Sequence, residues 1–447
     1  MPPIVALTIC GILVVVLLRI ERGRNTEASV ALWVPTFWIL LNGSKPIARW
    51  LDPASLELNA GSYETGSLHD RMALLTLIGL SLYILNKRKI EWSRIFKDNF
   101  WLILLYLYLG TSILWSDFPF VSLKRWFRLS GAIPVAMVVL SERYPLKALE
   151  SVLRRCAYVM IPFSLFLIKY YPHFGVQYVS WSGTKMWVGV ASQKNGLGMV
   201  CALSAFLIIW TFYREWRSGT FLKSKSQTFA DALILAISFF LLRGFRGTYS
   251  ATAFGILIFG IISLLFLYQV RGSVRFIATL MVCGLAVVLL SLLFADSLVS
   301  IATSAFNRNE SFTGRTDIWS AVLDAASKNP LLGVGYGGFW GLKDEMIYSA
   351  VGVREAHSGY LDVYLEVGLV GVVLLMTFLI AYYRKVLREL SYAYDWALFG
   401  ICFLFLTLMQ NFTESNFIRT SSFFWNIMIF LTIAFSAPHL RINRDRL

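Results

Sequence analysis

Of the four histidines in the 447 residues, His357 has the surroundings of a catalytic group. It lies in Glu355-Ala356-His357-Ser358-Gly359-Tyr360-Leu361-Asp362, directly ahead of an apolar run that reaches Tyr382. That places it at the N-terminus of a helix able to cross a membrane. The helix dipole there disfavours an imidazolium, so the ring stays neutral and can accept a proton. The residues alone leave a second reading open, a histidine that fixes its loop by a hydrogen bond. No acid lies three or four residues away, so a carboxylate that orients the ring is expected from elsewhere in the fold. His69 and His173 have ordinary loop surroundings and His439 lies in the tail, so structural roles are assigned to all three.

Arginines form a second group: Arg125 and Arg128, Arg243 and Arg246, Arg315 and Arg354. The guanidinium is a planar fork of donors that suits phosphate oxygens, and several converging near a membrane surface would hold a pyrophosphate headgroup. For any one of them the competing reading is an interfacial anchor that snorkels to the headgroups. Asp362, Glu366 and Glu414 are carboxylates at the edge of apolar runs, where an acid needs a partner. No P-loop, Asp-x-Asp pair, nucleophile elbow or His/Cys cluster is present, so neither a metal nor a nucleotide cofactor is expected. Gly333-Val334-Gly335-Tyr336-Gly337-Gly338 fits G-x-G-x-x-G, but no strand precedes it and no βαβ unit surrounds it. A tight glycine-rich turn is the expected structure.

The elements that must position these residues are membrane helices. The chain is 57% hydrophobic and 15% charged, against about 25% charged for a soluble domain. Disordered, collagenous and disulfide-stapled classes are excluded by the same composition. The cysteines sit in apolar runs, with no disulfide or metal spacing. Thirteen candidate spans are centred near Val14, Trp38, Leu80, Leu107, Val135, Phe163, Ala205, Ile237, Ile258, Ala286, Leu374, Phe405 and Met428. The expected fold is all-α, a polytopic membrane protein of twelve or thirteen spans with one large extracytoplasmic helical loop. Several runs fall short of the ~20 residues of a perpendicular helix, so tilted or broken helices are expected. The first run, Pro3–Leu18, has no basic segment ahead of it and is followed by Arg19, Arg22 and Arg24, which reads as a retained span.

With the N-terminus outside, Lys and Arg are roughly twice as dense in the inner segments as in the outer ones, the positive-inside pattern. The charge of +15 is then mostly a topology signal and does not point to nucleic acid. Inner charges read as topology determinants, and span interiors as nearly free of charge. The division expected is residues 1–294 of N-terminal spans, 295–360 of outer loop, and 361–447 of C-terminal spans and cytoplasmic tail. Within the loop, Thr313 can cap a helix running to Lys328, with Ile318, Trp319, Val322 and Leu323 as its apolar face and Asn329-Pro330 as its stop. No internal repeat is visible, which weakens a transporter of two related halves.

Taken together, these stretches resemble the superfamily of O-antigen ligases and polysaccharide repeat polymerases, most of all its exopolysaccharide-polymerase branch. The strongest stretch is Thr313-Gly314-Arg315-Thr316-Asp317-Ile318-Trp319, followed by Asn329-Pro330 and Gly333-Val334-Gly335-Tyr336. Next come Ala356-His357-Ser358 through Asp362, and Leu365-Glu366-Val367-Gly368 to Gly371. Weaker matches are Leu114-Trp115-Ser116 with Ser122 to Arg125, Lys194-Asn195 with Gly198, and Thr413-Glu414-Ser415. Relatives often carry His where this chain has Gln193, so position 193 is given no proton transfer. The arginine expected after the eighth span aligns with Arg246, with Arg243 as the alternative.

The resemblance implies a transferase at the outer face of a bacterial cytoplasmic membrane. Its donor would be an oligosaccharide on undecaprenyl pyrophosphate, its acceptor a second lipid-linked glycan or lipid A core, with membrane lipid around it and chain-length and export proteins as further partners. No cofactor is implied. His357 would be the general base, and Arg315 would act with it on the departing pyrophosphate. Arg246 or Arg243, Arg125, Lys194, Asn195, Arg354 and Glu414 would bind substrate. The Thr-Gly-Arg-Thr form and the loop at Glu414 lean toward a polymerase over a ligase. A lipid-linked oligosaccharide flippase would need charged residues at mid-membrane depth and paired halves.

Overall fold

The computed structural model is almost wholly helical. It describes residues 2–51, 67–178, 183–245, 250–270, 326–340 and 355–436, with the single positions 276, 277, 280, 284, 319, 322 and 323. In chain order the main helices are α1 (Pro3–Arg24), α2 (Trp33–Gly43), α3 (Leu68–Asn86), α4 (Phe100–Thr111), α5 (Pro119–Ser130), α6 (Ala132–Leu140) and α7 (Pro145–Tyr170). After a two-stranded ribbon, β1 (Val176–Tyr178) and β2 (Lys185–Trp187), come α8 (Lys194–Arg217), α9 (Lys225–Arg243), α10 (Ala251–Gln269), α11 (Gly359–Glu389), α12 (Tyr394–Thr413) and α13 (Phe423–Ala434). Eight of these are long and apolar enough to cross a membrane. Every expected span centre falls on a helix except Ala286, which lies outside the described residues. The chain is an all-α polytopic membrane protein.

Local sequence accounts for the boundaries. Pro145 opens α7 and Pro172 follows its end, because a proline costs nothing in the first turn and cannot continue a helix. The Ser67 hydroxyl accepts from Asp70 N at the start of α3, and Ser422 from Trp425 N at the start of α13. The ribbon was not foreseen. It is antiparallel, pairing Val176 with Trp187 and Tyr178 with Lys185.

The chain forms two compact units, residues 1–103, 127–261 and 418–447 in one, and 104–126 and 262–417 in the other. In the first, α7 is the central helix, packed against α1, α2, α8, α9 and α13. Its polar end carries a finding that reverses one expectation. Arg24, Arg154, Arg155 and Arg214 are not loose topology charges but members of a buried ion-pair network. Asp231, with no exposed surface, takes Arg24 Nη2 at 2.6 Å, Arg154 Nε at 3.3 Å and the Tyr158 hydroxyl at 2.5 Å. Glu150 receives Arg154 at 3.0 Å and both terminal nitrogens of Arg214 at 2.9 Å. Arg155 pairs with Glu21 at 2.7 Å, and Glu215 lies 3.5 Å from Arg24. Buried charges persist only when paired this way.

The network joins the end of α1, the start of α7, the end of α8 and the start of α9, all ends that the alternation of loops places on one side. At the opposite ends, Lys45 Nζ donates to Phe174 O at 2.7 Å and Gly189 O at 2.5 Å. Burial, and secondarily Arg49, push the Lys45 ammonium down to about 7.

In the second unit the helix α11 is broken at Gly368, which has φ 65° and ψ −169°. The break exposes backbone groups, and the glycine-rich turn satisfies them. Leu369 N donates to Pro330 O at 2.9 Å, Val370 N to Leu331 O at 3.1 Å, and Val334 N to Leu365 O at 3.3 Å. The Tyr108 hydroxyl on α4 donates to Val367 O at 2.9 Å. A side chain at 368 would strike the Leu331 carbonyl, so the two backbones cross here only through a glycine.

Candidate functional site

The turn over the break has its own scaffold. Residues 331–340 form consecutive turns, and Gly333, Gly335 and Gly337 all have positive φ. The expected tight turn is therefore present. Tyr336 N donates to Ser112 Oγ at 3.0 Å, and Arg125 Nη1 donates to Gly337 O at 2.6 Å. Arg125, expected to bind substrate, thus has one terminal nitrogen engaged with this turn. Of the helix expected over 313–328, positions 319, 322, 323 and 326 are helical, while Ser327 and Lys328 already lie in a turn. Val322 is buried, but Leu323, assigned to the apolar face, is exposed.

His357 stands just ahead of α11, as the sequence suggested, but in a conformation that spacing did not reveal. Its φ is 50°, in the left-handed region that a residue with a side chain enters only at a cost. Both backbone groups of the preceding residue are tied down. Ala356, fully buried, donates its N–H to Asp362 Oδ1 at 3.1 Å and accepts at its carbonyl from Trp319 Nε1 at 2.9 Å. Asp362 also accepts from Trp340 Nε1 at 3.1 Å. Asp362 therefore holds the backbone ahead of His357.

The carboxylate facing the ring is nearer in sequence than expected. Glu355 Oε1 lies 3.3 Å from His357 Nδ1, so the partner is on the same loop, two residues back. Glu414, buried at the end of α12, is the second acid. One ligand atom each from Glu355, His357 and Glu414 lie within 4.8 Å of one another. The docking of α11 on α12 brings Glu414 here. The Tyr360 hydroxyl donates to Leu408 O at 3.1 Å, the rings of Tyr360 and Phe417 are 5.2 Å apart, and Gly359 sits against Asn411. Asn411 Oδ1 in turn accepts from Asn416 N at 2.9 Å and Phe417 N at 2.7 Å, which turns the chain back after Glu414.

Lys194, Asn195 and Arg243 belong to the other unit. Lys194 and Asn195 occupy the first turn of α8, half-exposed at the end of a helix whose N–H groups attract anions. Arg243 is the exposed last residue of α9, which Gly244 terminates at φ 68°. Arg246, Arg315 and Arg354 lie outside the described residues. The sequence reading had not included Glu355 among the site residues.

Chemically, a histidine with two carboxylates can act as a base whose protonated form is stabilised, or as part of a divalent-cation site. The setting is a helical multi-pass membrane protein with a clamped, polar histidine loop at the head of a broken helix. Residues 231–376 match the family described as O-antigen ligase, a segment that includes Gly368 and the whole His357 loop. The chain is 24% identical over 392 residues to the exopolysaccharide production protein ExoQ of Rhizobium meliloti, covering 84% of this chain and 85% of that protein. The chain is thus similar to the O-antigen ligase family over residues 231–376 and to an exopolysaccharide production protein along most of its length.

Proposed function

We propose that this chain is a membrane glycosyltransferase that joins undecaprenyl-pyrophosphate-linked oligosaccharide repeats into exopolysaccharide or O-antigen, at the outer face of the bacterial cytoplasmic membrane. The observation that carries the reading is the clamped, left-handed His357 facing Glu355, inside the segment matched to the family. A strained backbone held on both sides is what a preorganised reacting group requires.

The reaction is an inverting displacement. An acceptor hydroxyl attacks the anomeric carbon, its proton passes to His357, and the bond to pyrophosphate breaks with its electron pair leaving on the phosphate oxygen. General-base assistance of this kind is worth about 10²–10⁴-fold. Arg315, with Arg125, would hold the pyrophosphate and stabilise its charge as it departs.

The test is transfer in vitro with purified protein and a synthetic undecaprenyl-pyrophosphate oligosaccharide, in the presence of chelator. A product ladder from the wild type, absent from His357→Ala, is the expected result. Full activity of His357→Ala would overturn the base, and loss of activity with chelator, restored by a divalent cation, would overturn the metal-free mechanism. The O-antigen ligase description of the matched family keeps a second reading in view, transfer to lipid A core. It prevails if product forms only when that acceptor is supplied.

A further inference from the structure

On a helix, residues two positions apart point to different faces, and a search for an orienting acid at helical spacing passes over Glu355. The loop is not helical. The positive φ at His357 folds the chain so that Glu355 Oε1 stands 3.3 Å from Nδ1. The residue between them is the anchored one, with the Ala356 N–H on Asp362 and its carbonyl on Trp319. Both side chains thus project from a segment whose backbone is fixed at its midpoint.

The geometry assigns to Glu355 the positioning of His357: the carboxylate stands 3.3 Å from Nδ1 as an ion-pair contact rather than an aligned hydrogen bond, and its charge favours the tautomer that keeps the proton on Nδ1 and the lone pair on Nε2. The inference rests on the general-base reading above and specifies how the base is prepared. In the reaction the acceptor proton moves to Nε2, Nδ1 keeps its own, and Glu355 remains ionised beside the imidazolium it stabilises. Ionised acids orient a histidine through the nitrogen opposite the reacting one in this way. Glu414 brings a second carboxylate to within 4.8 Å of this pair from the end of α12. Glu355 touches the ring, not the substrate, so its removal should misplace the base without weakening donor binding.

The test uses full-length protein labelled with ¹⁵N-histidine. Only four histidines are present, and the His357 signals are identified by their loss in His357→Ala. Wild type should show Nδ1 protonated and Nε2 bare. In Glu355→Ala the pattern should change at His357 alone, with kcat down about 10²-fold and the KM for the lipid-linked donor unchanged. Glu355→Asp should recover part of both. An unchanged ¹⁵N pattern in Glu355→Ala overturns the assignment, even if transfer falls, because the role would then be structural. A His357 signal that moves on addition of one equivalent of Zn²⁺, together with chelator-sensitive transfer, also overturns it in favour of a metal site. Active His357→Ala protein would sink the general base itself, while the ¹⁵N pattern would still decide whether Glu355 holds the ring.

Discussion

At the scale of single residues the site is a division of labour between two acids. Glu355 faces the ring of His357, and Asp362 holds the backbone that aims it. Asp362→Ala leaves two buried donors, Ala356 N–H and Trp340 Nε1–H, without their acceptor, at about 1–3 kcal/mol each. The expected outcome is a lower melting midpoint together with a loss of transfer, whereas Asp362→Asn, which keeps an oxygen in place, should retain most of both. Comparing melting and transfer for the two variants checks this. His357 and Asp362 could be read from the sequence because their motif and their place before an apolar run are both local. Glu355 could not, since its approach depends on a φ that no spacing rule encodes.

Among the elements, α11 is one helix by hydropathy and two by backbone. Its motif glycines were visible, but the break at Gly368 depends on a crossing by Leu331, more than thirty positions earlier in the chain. Gly368→Ala should cost about 1–3 kcal/mol for a φ, ψ pair that essentially only glycine adopts, and more for the clash with Leu331. A melting midpoint well below that of the wild type is the expected reading, and an unchanged midpoint would mean the helix runs straight. The loop after α2 makes a different prediction. Lys45 has a folded pKa of about 7, below its unfolded value, so between these two pKa values the unfolded chain binds the extra proton. Stability should therefore rise with pH from about 7 toward 10. Replacing Lys45 by Met should remove that slope, as thermal melts across the range would record.

For the whole molecule, hydropathy located the spans but not the charge network, because Glu150, Arg154, Arg214 and Asp231 meet only when three helices pack. Each looked, in its own loop, like an ordinary topology charge. Asp231→Asn removes the negative charge shared by Arg24 and Arg154, and breaking a buried pair costs about 3–5 kcal/mol, which a lower melting midpoint would record. The network also bears on orientation. It gathers the ends of α1, α7, α8 and α9 that alternation assigns to one side, so the sorting of ends is coherent within that unit, while its sign rests on the distribution of Lys and Arg. Lys223, between α8 and α9, and Lys328, before the glycine-rich turn, are both exposed and are expected on opposite sides. Cys10, Cys156, Cys201 and Cys402 are buried, and the remaining Cys283 is replaced by serine in the parent protein so that the background is low. An impermeant maleimide should label Lys328→Cys in intact cells, and Lys223→Cys only after the membrane is opened. The reverse pattern would put the His357 loop on the cytoplasmic side, where a donor displayed at the outer face could not reach it.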